Sequence, residues 1–153
     1  MEISSDLHDY IISFDNILPK EILYNFKKIC KESTKFKDAA IINKNNQKID
    51  TKTRKTSMWN LNTVGVDSLT QVHWANFMLN TFRIFIADYQ KKINSNEPFQ
   101  INDIQVLKYN LGGHYVFHTD HHRNVPRVFS CIFLINDDYE GGELIFKYPN
   151  SEK

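Results

Sequence analysis

Cysteine, glycine, proline and net charge are all in short supply here, and each shortage narrows the possibilities. Two cysteines, Cys30 and Cys131, stand far apart in the chain. They make no disulfide framework, and reduced thiols packed as small hydrophobes are the expectation. Five glycines and four prolines are too few and too scattered for a linker or a low-complexity tract. Lys and Arg number 19 against 18 Asp and Glu, a net charge of +1. That balance gives no global electrostatic reason to expect nucleic acid or an acidic membrane as partner. Long apolar runs are missing too: the stretch over residues 77–89 is broken by Asn80, Arg83 and Asp88, so no membrane span is expected. The first residues, with Glu2 and Asp6 among them, lack the basic and apolar regions of a secretion signal. A soluble, cytoplasmic protein is the expectation.

What is present suits one domain over residues 1–153, with 41% hydrophobic residues to build a core and aromatics at 13% favouring packed elements over disorder. Residues 11–14 read as a short strand and Asp15-Asn16 as a turn. Pro19 suits a first helical position, and Ile22, Phe26, Ile29 and Cys30 recur at helical spacing, predicting a helix over residues 19–33. Residues 36–42 read as a strand, residues 44–53 as an exposed polar connection and residues 56–61 as a strand. Ser68 with Gln71 resembles a capping box, and Asp67 adds negative charge at the same helix start. From there Val72, Ala75, Leu79, Phe82, Ile86, Tyr89 and Ile93 predict the inward face of a long helix, closed by Lys91 and Lys92.

After Pro98 the pattern turns to strands. Residues 104–109 read as a strand, Leu111-Gly112-Gly113 as a turn and residues 115–118 as another strand. Residues 128–135 are apolar throughout, as in a strand buried on both faces. Residues 136–142 read as a turn and residues 143–147 as a final strand. Helices first and strands afterwards argue for an α+β design rather than alternating βαβ units.

The segment that carries chemistry is centred on His118-Thr119-Asp120. On an extended chain residues two apart point to the same side, so an imidazole and a carboxylate converge. That is two-thirds of a facial triad of two histidines and one carboxylate, which leaves positions on Fe(II) open. Tyr109 and the Gly112-Gly113 turn precede the pair, and Arg127, Leu134-Ile135-Asn136 and Gly141-Gly142-Glu143-Leu144 follow it.

In these residues the chain resembles the prolyl 4-hydroxylase type of Fe(II)/2-oxoglutarate dioxygenases. The resemblance extends, less diagnostically, to the first helix, the Arg54-Lys55-Thr56-Ser57 strand and the long helix. It implies an α+β fold: a double-stranded β-helix, or jelly roll, incomplete at its C-terminal side. Supporting helices would occupy about residues 1–100, and the core would start over about residues 101–153. It implies that His118 and Asp120 ligate iron and that Tyr109 lies beside the 2-oxoglutarate site, a plain core tyrosine being the other reading. Tyr115 would line the pocket or pack in the core, and Arg127 would reach toward substrate or sit at a strand start on the surface. The activity implied is hydroxylation of a prolyl residue in a peptide or protein, or of a similar acceptor such as a free amino acid or nucleobase, with O2 consumed, 2-oxoglutarate decarboxylated to succinate and L-ascorbate keeping iron reduced; residues 1–153 alone are expected to bind iron weakly with little or no turnover. Two departures stand out. Leu134 occupies a position where some relatives place a tyrosine that grips the far carboxylate of 2-oxoglutarate. The family's second histidine, and the Arg or Lys that follows it, would come after Lys153.

Other readings compete. His121 or His122 would complete the triad only if a turn redirected it, and His114 lies four residues before His118. Asp120-His121-His122 also matches the signature of the DHH phosphoesterases, which hold paired divalent cations, although upstream Asp-containing motifs and a βα alternation are missing. A partial domain that binds a partner without turnover is the non-enzymatic alternative. The basic stretch Lys44, Lys48, Lys52, Arg54 and Lys55 is either a contact for an anionic substrate or a solvated loop.

Overall fold

The computed structural model describes residues 6–43, 46–62, 66–121 and 126–147. Helix α1 (Lys20–Glu32) begins one residue later than expected. Pro19 is its N-cap, and the Pro19 carbonyl accepts the first helical bond from the Leu23 N–H at 3.0 Å. Having no N–H of its own, proline leaves no donor unsatisfied there. Phe26 is buried, and Ile22, Ile29 and Cys30 pack beside it, so the inward face is the one its spacing predicts. Ahead of the helix, Asn16 takes the left-handed conformation, φ 53°, consistent with the Asp15-Asn16 turn.

Helix α2 (Leu69–Lys92) is capped by Ser68, whose hydroxyl accepts the Gln71 N–H at 3.2 Å. Only half of the capping box forms. The Gln71 side chain turns inward instead and donates to the carbonyls of Leu61 (3.0 Å) and Asn60 (3.3 Å), while Lys35 donates to its oxygen and pairs with Asp67. The buried face is also rotated from the expected one. It carries Trp74, Ala75, Met78 and Ile86, with Leu79 and Phe82 at its margin and Val72 exposed. The indole and thioether offer more apolar area than Val72, and that face turns to the sheet. Among the described residues no helix is long and apolar enough to cross a membrane.

Strands β1 (Lys37–Asp38), β5 (Ser57–Asn60) and β6 (Gln105–Lys108) make an antiparallel sheet in the order β1-β5-β6. Trp59 faces Val106 across the β5–β6 ladder, and Leu61 donates its N–H to the Ile104 carbonyl at 2.8 Å. Side chains alternate along a strand, so Trp59, Leu61, Ile104 and Val106 share one face. Against it pack Leu18, Phe26 of α1 and Trp74, Ala75 and Met78 of α2, which is the core. Phe26 and Trp74 meet with ring centroids 5.0 Å apart. Among the described residues the arrangement is α+β, with two α-helices and small antiparallel sheets.

Several expected elements differ. Residues 11–14 form no strand; a single turn of 3-10 helix covers Leu7–Tyr10, and Tyr89 holds it by donating its hydroxyl to the Tyr10 carbonyl at 2.9 Å. Residues 36–42 are divided between β1 and β2 (Ile41–Asn43), and the expected polar connection supplies β3 (Asn46–Lys48), which pairs with β2. Lys44 lies outside the described residues. The strand expected at residues 115–118 is limited to β7 (His114–Tyr115), paired with β4 (Arg54–Lys55). Residues 126–147 are irregular, although strands were expected at 128–135 and 143–147. No described strand lies beside them, and an apolar run cannot form a ladder without a partner. Over residues 132–135 the side chains still alternate, with Phe133 and Ile135 half-buried and Ile132 and Leu134 outward; Phe129 is half-buried too, but Cys131 between them is exposed. Phe129 meets the Tyr89 ring edge-on at 5.4 Å.

Both cysteines are free thiols. Burial against the core pushes the Cys30 thiol up from its ordinary value of 9.0 to about 12. Between those values the unfolded chain gives up this proton and the folded one keeps it, so stability falls as pH rises. In chemical denaturation at stepped alkaline pH, wild type is expected to lose stability above pH 9 relative to Cys30→Ala. Parallel curves for the two proteins up to pH 11 would contradict this placement.

Candidate metal centre

The candidate site grows out of the short β4–β7 ladder. β4 runs through Thr56 directly into β5 of the core sheet, and β7 follows β6 through the turn at residues 109–113. Thr56 ties the two sides by donating its hydroxyl to the Lys108 carbonyl at 2.9 Å. Gly113 donates its N–H to the Asn110 carbonyl at 2.7 Å. A Cβ at this position would lie 2.8 Å from the Asn110 oxygen and 3.0 Å from the Lys55 carbonyl oxygen. Only glycine lets the turn come this close to β4. Val116 extends the pairing with an N–H bond to the Thr53 carbonyl at 3.0 Å. The segment leaving β7 is thereby held against the core, and it carries His118 and Asp120.

These two side chains meet. Nε2 of His118 lies 3.2 Å from Oδ1 of Asp120, and Nδ1 of His118 lies 2.9 Å from the Val116 carbonyl oxygen. A carbonyl only accepts, so Nδ1 carries a proton and donates it. In the neutral ring Nε2 then presents its lone pair to a carboxylate oxygen, and two electron-rich atoms at this distance are compatible only with a cation between or beside them. A proton meets that need, and so does a divalent metal. Fixing one ring nitrogen on a backbone carbonyl is also how metal-binding histidines are oriented. The other Asp120 oxygen, Oδ2, accepts a short bond from the Ser130 hydroxyl. Both functional side chains are partly exposed, 37% and 44%, so the pair is open to solvent.

Tyr115 stacks on the His118 imidazole with ring centroids 3.6 Å apart and planes 19° from parallel. Its cross-strand partner Arg54 sets its guanidinium 4.7 Å from the centre of the same phenol ring. Burial pushes the Tyr109 phenol above its ordinary value, and the nearby Arg54 charge draws it back down. Tyr109 and Tyr115 therefore belong to one cluster with His118. Arg127 approaches by another route: its Nη1 donates to the Asp120 backbone carbonyl at 3.1 Å, bracing the loop.

The neighbouring histidines do not join the pair. Nδ1 of His121 faces the Arg127 carbonyl at 3.4 Å, and the His114 ring faces the Gly112 and Lys52 carbonyls at 3.3 and 3.1 Å. His122 lies outside the described residues. Among the described residues no group of three His, Cys, Asp or Glu could hold a metal, and the donors that meet here are the two of His118 and Asp120. Every described ladder is antiparallel, unlike the βα alternation of the phosphoesterase reading. Sequence reasoning missed Ser130, ten residues past Asp120 with no local signal; Arg54, counted both in the basic stretch and in the strand over residues 54–57, lies in β4 and is buried rather than solvated. Comparison with protein-family models, with curated proteins and with solved structures gave no match.

Mn(II) binding followed by electron paramagnetic resonance is expected to weaken at least about a hundredfold in His118→Ala and in Asp120→Ala. Ser130→Ala, which removes a bond to the ligand rather than the ligand, is expected to weaken it by about tenfold. Equal Mn(II) affinity in all four proteins would remove the metal centre.

Proposed function

We propose that this chain carries the iron-binding half of an Fe(II)/2-oxoglutarate-dependent dioxygenase of the prolyl 4-hydroxylase type. The observation that carries the reading is the convergence of His118 Nε2 and Asp120 Oδ1 at 3.2 Å, with His118 Nδ1 committed to a backbone carbonyl. One imidazole and one carboxylate from a single short segment are the donors that Fe(II) takes from such a scaffold. Iron, once bound with 2-oxoglutarate and O2, supplies the oxidation that inserts hydroxyl into an unactivated C–H bond and yields succinate and CO2.

The chain's own residues have positioning tasks. His118 and Asp120 hold the metal, and Ser130 keeps the Asp120 carboxylate turned toward it. Tyr115 supports the imidazole face, and in this reading Tyr109 is the residue that would hydrogen-bond a carboxylate of 2-oxoglutarate. Arg127 steadies the loop that presents the ligands. The acceptor in this reading is a prolyl residue of a peptide or protein, with L-ascorbate keeping the iron reduced in the cytoplasm.

The same proposal gives residues 126–147 a structural part. Phe133 and Ile135, half-buried beside the exposed Ile132 and Leu134, are the inward residues that a jelly-roll strand would set against the helical layer. A second reading, a domain that binds a partner without turnover, is favoured by one observation: only two metal donors converge among the described residues.

The deciding assay is succinate release from 2-oxoglutarate under Fe(II), O2 and ascorbate, comparing wild type with His118→Ala. The oxygenase reading expects succinate from the reading frame that includes a distal histidine ligand, at least a hundredfold less from its His118→Ala variant, and little or none from residues 1–153 alone. Succinate at the same rate from that frame and its variant would reject it, and none from that frame while it still binds Mn(II) through His118 would favour the non-catalytic reading.

A further inference from the structure

His118 has a loose setting for a residue that must aim one nitrogen. Its side chain is 37% exposed, and residues 116–121 belong to no strand. The outer bond of a histidine side chain turns over a broad, roughly two-fold profile, so a half-turn of a free ring costs little. Such a turn would carry both nitrogens off their partners, Nδ1 from the Val116 carbonyl and Nε2 from Asp120.

What restrains the ring comes from the ladder. Tyr115, the last residue of β7, lies on the imidazole with centroids 3.6 Å apart and planes 19° from parallel. A ring cannot swing through the perpendicular with another ring that close to its face. Aromatic pairs ordinarily meet edge-on or offset, at about 4.5–7 Å between centroids, because two π faces repel. Arg54 eases the closer approach. Its guanidinium carbon stands 4.7 Å from the centre of the phenol ring, and a cation there draws π density toward itself. Arg54 is itself well anchored. It is directly opposite Tyr115 in the ladder, 9% exposed, on the strand that runs through Thr56 into the core sheet.

We propose that Arg54 and Tyr115 are positioning residues for His118. The buried guanidinium holds the phenol, the phenol holds the plane of the imidazole, and the Val116 carbonyl decides which nitrogen lies where. That the nitrogen so aimed serves a metal rests on the metal-centre and oxygenase reading; the restraint on the ring does not. Both residues act through His118, and the phenol hydroxyl has no part in the device. Arg54 therefore has nothing to hold once the Tyr115 ring is gone.

Two measurements test the pair: long-range proton–nitrogen spectra of the metal-free histidine rings at about pH 8, where an ordinary imidazole is neutral, and Mn(II) affinity by electron paramagnetic resonance. Tyr115→Leu is expected to weaken Mn(II) by about tenfold and to let the His118 ring populate both tautomers. Tyr115→Phe, which keeps the ring face, is expected to match wild type in both. Arg54→Met is expected to weaken Mn(II) by about threefold, and to add nothing when combined with Tyr115→Leu. A merely structural arginine would weaken binding by the same factor in either background. That result, a Tyr115→Phe protein that behaves like Tyr115→Leu, or wild-type affinity and a single His118 tautomer in Tyr115→Leu would each overturn the proposal. Should Mn(II) affinity be indifferent to His118→Ala, the metal centre falls separately and the ring spectra decide. A single tautomer lost in Tyr115→Leu and kept in Tyr115→Phe then upholds the pair, and an unchanged ring overturns it.

Discussion

The two-residue ladder between β4 and β7 is the constraint on which the candidate site depends. It joins a strand that continues into the core sheet to the segment that carries His118 and Asp120, and it sets Arg54 opposite Tyr115. Gly113 makes the ladder possible, because any side chain there would collide with the Asn110 and Lys55 carbonyl oxygens. The chemistry thus inherits its rigidity from the packing of Trp59, Leu61 and Val106 against α1 and α2, a short distance along the same strands. A site held on strand ends by a packed sheet is better defined than one on a free loop.

Electrostatics adds a second constraint. Nε2 of His118 and an Asp120 oxygen face each other at 3.2 Å, while the Nε of Arg54 is buried without a hydrogen-bond partner. A proton or a metal ion satisfies the first arrangement, and the second is a local cost of burial. Function-bearing regions commonly keep such local costs, which the rest of the fold offsets.

Much of the helical layer was legible in the sequence, since Ile22, Phe26, Ile29 and Cys30 give one face of α1 and Ser68 marks the start of α2. The buried face of α2 was misjudged because Trp74 and Met78 outweigh Val72 in apolar area, a tertiary preference that spacing does not express. Strand pairing was less legible. The division of residues 36–42 between two sheets and the pairing of β3 with β2 depend on which partner each short segment finds. The apolar run at residues 128–135 signals burial, yet burial needs a covering surface, and Val128, Ile132 and Leu134 face outward among the described residues. At the site, the convergence of His118 with Asp120 was expected from the two-residue period of an extended chain, yet the chain leaves β7 at Tyr115 and bends at Phe117 and Asp120, so the two side chains meet on an irregular segment. Ser130 and Arg54 reach the same place through long-range pairing, so no local pattern could announce them.

The central claim is that His118 offers Nε2, with Nδ1 protonated, to a single divalent cation shared with Asp120. Long-range proton–nitrogen correlation spectra of the histidine rings, recorded during titration with diamagnetic Zn(II), test it most directly. A displaced Nε2 resonance at His118, with its Nδ1 still bearing hydrogen and the His114 and His121 rings unmoved, is the expected result. An unmoved His118 ring, or metal bound through Nδ1, would contradict the account.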